Sequence, residues 1–379
     1  MLMIAAGHED GNDVDSLRHD PAFKLALDHL PGGDALCSQP TISRTENRPG
    51  TRSLLRMARA MAELYRNSFR QVPRRIVLDV DDTFDAAHGE RQLRLFNAYH
   101  DEYGFQPIVV FDGEGRPVTA MLRPAKRPSG REARAFLRRL VRAIRGQWPR
   151  VEILIRADSH YCAPEVLDFC RGEGLEFILG VASTTTLRRH VEALERSTAA
   201  LRAATAALRA ATPGAEKQRR HKEFPDGAGS WSRVERIIAR VEAGPGGVDT
   251  RFVVTNLTGG SARSLHERNY CRRGHAENHI KAWKRHLAAD RTSCSRATAN
   301  QVRLLLHTAA YWLLWSLRSL MPKRSTWRVA QFDTLRLRLV KLAARVVELK
   351  TRVLLHLPSA CPCQAVLRLA LGRMPRLIS

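Results

Sequence analysis

A run of alternating strand-like and helical segments between residues 75 and 181 constrains the fold more than any other feature. RIVLDVDD, YGFQPIVVFD and PVTAMLRP are short runs rich in β-branched and aromatic residues, and polar turns separate them. The segment SGREARAFLRRLVRAIRGQW then has helical spacing and precedes the strand-like run VEILIRAD. The helical segment APEVLDFCRGEG and the strand-like run LEFILGV complete the series. This order of elements predicts an α/β domain.

The charge of the chain indicates a polyanionic partner. Its 62 lysines and arginines exceed its 38 acidic residues, and the net charge is +24. With 44% hydrophobic residues the chain is globular, and its basic residues are scattered along its whole length, which favours nucleic acid over an anionic membrane. The apolar run 304–317 is too short to span a bilayer and predicts a buried helix. Seven cysteines without a CxxC pair, and no signal peptide, indicate a cytoplasmic protein.

Aspartates stand at the ends of two of the predicted strands. Asp79 and Asp81 share one face of the first strand because side chains alternate along a strand. Asp158 closes the run VEILIRAD. Carboxylates at the ends of neighbouring strands in an open α/β sheet converge where ligands bind. The alternative is that each aspartate simply begins a turn.

A second group of polar residues has helical spacing. Tyr270, Arg273, Glu277 and Lys284 stand at offsets of 0, 3, 7 and 14 residues, which places them in one narrow stripe of a helix. These residue types are a poor set for a hydrophobic face. A solvated stripe with ion pairs four residues apart is the alternative, but only Arg273 and Glu277 have that separation.

The flanking regions are predicted to be mainly helical. In residues 15–70, a helix, a glycine turn and SQPTISRTEN suggest either a helix-turn-helix or two ordinary packed helices. Leucines recur every seven residues from Leu187 to Leu208, which predicts a helix that ends at Pro213 and Gly214. The runs RVERIIARVEA and TRFVVTNL that follow are strand-like, and an amphipathic helix is expected near 333–355.

Together these motifs resemble the DDE superfamily of insertion-sequence transposases. The spacing Tyr-x2-Arg-x3-Glu-x6-Lys matches the YREK signature of that superfamily, and the chain most resembles its insertion-sequence 1380 family. The supporting stretches cover nearly the whole chain and include LRHDPAFKLAL, SQPTISRTEN, LDVDDTFDAAHGERQ, YGFQPIVVFDG, IRADSHYCAPEVLDFC and DRTSCSRATANQVRLLL.

The resemblance implies an α/β fold with a ribonuclease-H-like catalytic domain. An inserted α+β subdomain is expected between the second aspartate and the glutamate, with helical N-terminal and C-terminal regions on either side. The implied divisions are an N-terminal DNA-binding region at 1–72, a catalytic core at 73–183 and 267–322, the inserted subdomain at 184–266, and a basic helical C-terminal region at 323–379.

The resemblance also implies a catalytic, metal-binding triad of Asp81, Asp158 and Glu277. Asp81 is preferred because the resembled transposases carry Asp-x-Thr on the first strand, as in Asp81-Asp82-Thr83. Asp79 stays the alternative first ligand. Three carboxylates suit Mg²⁺, or Mn²⁺ in its place, and do not suit zinc.

The resemblance further implies the partners and the reaction. Tyr270, Arg273 and Lys284 are expected to hold phosphates of double-stranded DNA while the enzyme, a homodimer in its active complex, cuts element ends and joins them to target DNA. Members of the resembled family carry a longer region before LRHDPAFKLAL, so part of an end-binding domain is expected to be missing. Two alternatives stay open: a catalytically impaired relative that acts as a DNA-binding repressor, and another metal-dependent endonuclease on the same fold.

Overall fold

The structure is a computed structural model that describes residues 1–209 and 217–374, with thirteen strands and thirteen α-helices in those residues. The strands are β1 (Arg75–Asp82), β2 (Asp85–Ala86), β3 (Leu95–Asn97), β4 (Glu102–Phe105), β5 (Ile108–Asp112), β6 (Pro117–Met121), β7 (Glu152–Ala157), β8 (Glu176–Val181), β9 (Gln218–Asp226), β10 (Glu235–Gly244), β11 (Gly247–Thr255), β12 (Arg345–Leu349) and β13 (Arg352–His356). The helices are α1 (Leu2–Ala5), α2 (Val14–Leu17), α3 (Pro21–Leu25), α4 (Gln39–Asn47), α5 (Thr51–Asn67), α6 (Gly130–Arg145), α7 (Pro164–Gly172), α8 (Thr185–Arg209), α9 (Ala262–Ser264), α10 (Gly274–Leu287), α11 (Ala297–Ser319), α12 (Phe332–Leu335) and α13 (Gln364–Arg373).

A mixed sheet of eight strands forms the centre of the molecule, in the order β6-β5-β1-β7-β8-β11-β10-β9. Strand β1 pairs antiparallel with β5 and parallel with β7, and β7 pairs parallel with β8. Helices α6 and α7 make the connections into β7 and β8, as parallel pairing requires. The predicted α/β class is confirmed, and this part of the sheet agrees with the ribonuclease-H-like core that the resemblance implies.

Helix α6 decides which face of β1 is turned towards the apolar core. Its buried residues recur with helical spacing, and a capping box between Ser129 and Glu132 starts the helix. They pack in one cluster with Leu78 and Val80 of β1, both fully buried. Burying a large apolar side chain stabilises the fold by about 1.5–3 kcal/mol, so this orientation is strongly specified. Asp79 and Asp81 therefore face the opposite side of the sheet.

Helices α10 and α11 cover part of that opposite side. Trp283 of α10 and Tyr311 of α11 are fully buried and pack in one cluster with Phe111 of β5. The buried helix predicted from the run 304–317 is confirmed as part of α11. Across the described residues, no helix is both long and apolar enough to cross a membrane.

Residues 184–266 extend the central sheet. Helix α8 and the strands β10 and β11 confirm the predicted elements, and β9 is a further strand. Because β11 pairs antiparallel with β8, these strands continue the same sheet, and the separate inserted subdomain stays a prediction. Leu187 is buried whereas Leu201 is 45% exposed, so the leucine seam is not buried along its length. The side chain of Leu208 and the predicted helix end at Pro213 and Gly214 lie outside the described residues.

The terminal regions differ in part from the expectation. Residues 26–38 separate α3 from α4, a longer link than the turn of three or four residues in a helix-turn-helix, so these two helices do not form that motif. The amphipathic helix predicted near 333–355 is confirmed for α12 and the π-helical segment Arg336–Val340 that continues it, and it is wrong beyond Val340. Strands β12 and β13 form a hairpin there, because Val346, Val347 and Val353 favour strands and only Lys350 and Thr351 separate the two.

Candidate active site

The ends of β1 and β7 bring three aspartates to one edge of the sheet. The two strands run parallel and pair up to Val80 and Ala157, so Asp81 and Asp82 at the end of β1 lie beside Asp158, which follows β7. Asp158 caps the helical turn Ser159–Tyr161 by accepting a hydrogen bond of 2.9 Å from the backbone N–H of His160. The fold therefore brings the end of β1, with Asp81, next to Asp158 at the end of β7.

Asp79 forms a buried ion pair that occupies both of its carboxylate oxygens. The guanidinium of Arg156, its neighbour on β7, donates from Nε to Oδ1 at 2.6 Å and from Nη2 to Oδ2 at 2.7 Å. The same guanidinium donates from Nη1 to the carbonyl oxygen of Asn269 at 2.8 Å. The pair of Asp79 and Arg156 thus joins β1 and β7 to the segment before α10, and these contacts indicate a role in stabilising the fold.

Arg273 bridges two members of the proposed triad. Its Nη1 donates to Oδ2 of Asp81 at 2.8 Å, and its Nη2 donates to Oε1 of Glu277 at 3.0 Å. Burial raises the pKa of Asp81 to about 7, an effect that Arg273 opposes and that the carboxylates of Asp158 and Asp82 reinforce. A cation close to these carboxylates would favour the charged form of Asp81.

Tyr270 lies on the other side of Arg273, against β8. A side chain at Gly180 would place its Cβ 2.6 Å from the Tyr270 hydroxyl, so the glycine leaves the space that this hydroxyl occupies. Burial raises the pKa of Tyr270, and the neighbouring Asp158 raises it further while Arg273 lowers it. Tyr270 is therefore within electrostatic range of both Asp158 and Arg273.

Lys284 is held at the end of β1 by several oxygens. Its ammonium lies 3.0 Å from Oδ1 of Asp85 and donates to the Phe84 carbonyl at 2.6 Å and the Thr83 hydroxyl at 3.2 Å. Burial raises the pKa of Asp85 to about 7, and Lys284 opposes this shift. Asp85 stands in the stretch LDVDDTFDAAHGERQ, but the sequence does not identify it as a partner of Lys284, because nothing in the spacing distinguishes it from a turn residue.

The helical stripe predicted from residue spacing is partly correct. Glu277 and Lys284 lie on α10, but Tyr270 ends a π-helical segment, Leu265–Tyr270, and Arg273 ends the tight 3₁₀ turn Cys271–Arg273. All four residues nevertheless face the β1 and β7 ends. Glu277 and Lys284 line a cleft of about 380 Å³ that Asp81 and Asp82 also line.

Asp82 and His160 are further site residues that the sequence analysis did not single out. Nδ1 of His160 lies 3.2 Å from Oδ1 of Asp82 and 3.7 Å from Oδ2 of Asp158. Asp82 also accepts a hydrogen bond of 2.8 Å from the side-chain amide of Gln106. The signal was the sequence Asp158-Ser159-His160, in which a metal-binding residue type follows a strand-end aspartate.

The donor set at this edge of the sheet fits divalent metal ions. Asp81, Asp158 and Glu277 offer hard carboxylate oxygens, which Mg²⁺ and Mn²⁺ prefer. Arg273 places a positive charge between Asp81 and Glu277, where a metal ion would supply the same compensation. These donor types suit a metal ion, but among the described residues the three donors that lie within 4.8 Å of one another belong to Asp82, Asp158 and His160. Asp79, with both oxygens bound to Arg156, is the less suitable first ligand.

Comparison with known proteins identifies the family. Residues 1–379 match the family model described as "Transposase DDE domain group 1". Among solved structures, the chain is similar to a piggyBac transposase synaptic complex with hairpin DNA, with 9% identity, a TM-score of 0.42, and coverage of 88% of this chain and 68% of that chain. It is also similar to a Mos1 transposase paired-end complex with the left transposon end, with 13% identity, a TM-score of 0.21, and coverage of 44% of this chain and 57% of that chain. The search of curated proteins finds no match. Because the family model covers the whole chain, the protein belongs to the DDE transposases of this family.

Proposed function

We propose that this transposase cleaves DNA at the ends of an insertion sequence and joins the ends to target DNA in a metal-dependent reaction. One observation supports the proposal most directly: the guanidinium of Arg273 pairs with both Asp81 and Glu277, and the carboxylate of Asp158 acts on it electrostatically. The narrower assignment to the insertion-sequence 1380 family is part of the proposal and rests on the sequence motifs.

The three carboxylates would hold the metal ions. Mg²⁺, or Mn²⁺ in its place, would supply activation of water or of a DNA 3′-hydroxyl, and stabilisation of the leaving oxygen in an in-line phosphoryl transfer. Asp81 is buried and fixed on a sheet strand, whereas Glu277 is 64% exposed on its side chain. The rigid aspartate would set the position of the site, and the exposed glutamate can turn towards it.

Arg273 would have two roles. Without metal it neutralises Asp81 and Glu277. With metal ions held by these carboxylates, its planar guanidinium would be free to donate two parallel hydrogen bonds to a DNA phosphate. The adjacent Tyr270 hydroxyl would orient the guanidinium, and Lys284, which fixes α10 to the end of β1, would add positive charge beside the scissile phosphate.

The remaining parts of the proposal concern partners. The net charge of +24 supports binding to double-stranded DNA through phosphate contacts. We propose a homodimer in the active complex, because two element ends have to be cut and joined together.

The test uses a plasmid that carries the inverted repeats flanking the reading frame. Purified protein is incubated with it in Mg²⁺ or Mn²⁺, and cleavage and strand transfer are measured on gels. Asp81→Asn, Asp158→Asn and Glu277→Gln should each retain DNA binding and lose cleavage by several orders of magnitude, without additivity because they form one unit. The substitutions Asp34→Asn and Glu192→Gln, each at an exposed acidic residue, are matched controls that should cleave like the wild type.

Each contrary result identifies an alternative. Wild-type protein that binds the repeats without cleaving them would be a repressor. Cleavage without joining would indicate another metal-dependent endonuclease. A Glu277→Gln protein that cleaves near the wild-type rate would refute the assignment of the triad.

A further inference from the structure

We propose that Asp82, Asp158 and His160 form a cation site of mixed oxygen and nitrogen donors that prefers Mn²⁺ to Mg²⁺. The inference rests on the proposed function, since the site shares Asp158 with the proposed triad. It adds Asp82 and His160 to the metal centre and makes the imidazole the group that selects the metal.

The three ligand atoms already lie close enough together to surround one ion. One carboxylate oxygen from each aspartate and one ring nitrogen of His160 all lie within 4.8 Å of one another. Nδ1 of His160 faces both carboxylates, at 3.2 Å from Asp82 and 3.7 Å from Asp158. Small side-chain adjustments would bring three donors at these separations to ordinary coordination distances of an ion between them.

Each ligand is held in place by another group. The Gln106 amide donates to Asp82, and the backbone N–H of His160 donates to Asp158. Arg127 donates to the carbonyl oxygen of Ser159 at 2.6 Å, which fixes the turn that carries His160. Such supporting contacts are what orients the ligands of metal sites.

A buried hydroxyl without a partner is a second, independent indication. The Tyr161 side chain is 1% exposed, and its hydroxyl has no hydrogen-bond partner among the described residues. Burial is the main cause that raises the pKa of this hydroxyl, and the carboxylates of Asp82, Asp81 and Asp158 raise it further. A buried donor left unsatisfied costs about 1–3 kcal/mol. A water molecule held by a cation among these carboxylates would accept its hydrogen bond.

The donor types determine the metal preference. Mg²⁺ favours octahedral oxygen donors and retains water, whereas imidazole nitrogen suits first-row transition metals. Arg273 contacts Asp81 and Glu277, while Asp82 contacts Gln106 and His160. The site around Asp82 therefore has contacts of its own, and the nitrogen donor gives it its own selectivity.

The experiment detects the nitrogen ligand directly. Full-length protein is titrated with Mn²⁺ alone, and electron spin-echo spectroscopy measures ¹⁴N coupling to the bound ion. The wild type should show imidazole nitrogen coupling, and His160→Ala should lose it and bind Mn²⁺ at least about 10-fold more weakly. Mg²⁺ affinity should change much less in this variant. His356→Ala removes an exposed histidine on β13 and should retain the coupling.

Two further variants separate this inference from the proposed function. Asp82→Asn should weaken Mn²⁺ binding, whereas Glu277→Gln should abolish DNA cleavage and keep the nitrogen coupling. Bound Mn²⁺ without nitrogen coupling, no Mn²⁺ binding at all, or coupling that survives in His160→Ala would each overturn the inference. Wild-type protein that shows the coupling but never cleaves DNA would overturn the proposed function alone. Circular dichroism confirms that each variant is folded.

Discussion

Replacing Asp79 by asparagine should destabilise the fold without removing a metal ligand. Asp79 and Arg156 are 2% and 5% exposed on their side chains and share two hydrogen bonds. The substitution leaves the guanidinium charge buried beside a neutral amide. Removing one partner of a buried pair costs about 3–5 kcal/mol, and the total stability of a domain is about 5–15 kcal/mol. Because asparagine keeps one oxygen acceptor, we expect the free energy of unfolding to decrease by about 3 kcal/mol, the lower end of the range for a buried pair.

Urea unfolding followed by tryptophan fluorescence measures this loss. The exposed Asp34→Asn is the matched control and should change stability by less than about 0.5 kcal/mol. The double variant Asp79→Leu, Arg156→Met should recover most of the stability, because an apolar pair of similar volume leaves no uncompensated charge. An Asp79→Asn protein that is as stable as the wild type yet inactive would refute this reasoning and make Asp79 the first metal ligand.

Three other predictions concern the site, the core and the surface. Gly180→Ala should lower the cleavage rate on the order of 100-fold with little change in DNA affinity. Its Cβ would displace the Tyr270 hydroxyl, which positions the Arg273 guanidinium. A wild-type rate would contradict this prediction. Burial lowers the pKa of His307 to about 3, and its Nδ1 donates to the Leu287 carbonyl. The contribution of neutral His307 to stability is therefore fully present above the unfolded pKa of about 6.5 and decreases by about 1.4 kcal/mol per pH unit below it. In urea unfolding, the free energy of unfolding of His307→Gln should therefore fall less steeply than that of the wild type between about pH 6.5 and 4. The logarithm of the DNA association constant should decrease linearly with the logarithm of salt concentration between about 50 and 200 mM in filter binding, and a flat response would exclude a phosphate-dominated interface.

The strands and their aspartates could be predicted from the sequence because their signals are local. β1, β7 and β8 are β-branched runs bounded by turns, and α6 has a clear amphipathic repeat with a capping box. The hydrophobic pattern alone fixes which face of β1 carries Asp81. The contact between Arg273 and Glu277 also follows from their spacing of four residues.

Other features depend on contacts between distant residues and left no local signal. The partner that occupies Asp79 is Arg156, 77 residues away in the chain, and Lys284 meets Asp85 only after α10 packs on the sheet. The irregular turns before α10 break the helical geometry that the spacing assumed. The C-terminal hairpin has no clear strand signal in the sequence, because its apolar residues fit both the helical and the strand period and the turn at Lys350 and Thr351 lacks glycine or asparagine.

The central claim is that the edge of the sheet at Asp81, Asp158 and Glu277 is a metal centre. Anomalous diffraction from crystals soaked in Mn²⁺ locates the bound ions directly. We predict an anomalous peak within coordination distance of Asp81 and Asp158, with the Arg273 guanidinium moved away from Asp81. Asp81→Asn should weaken this peak, and Asp34→Asn should leave it unchanged. No peak at this edge at saturating Mn²⁺, with Arg273 still bound to Asp81 and Glu277, would contradict the account.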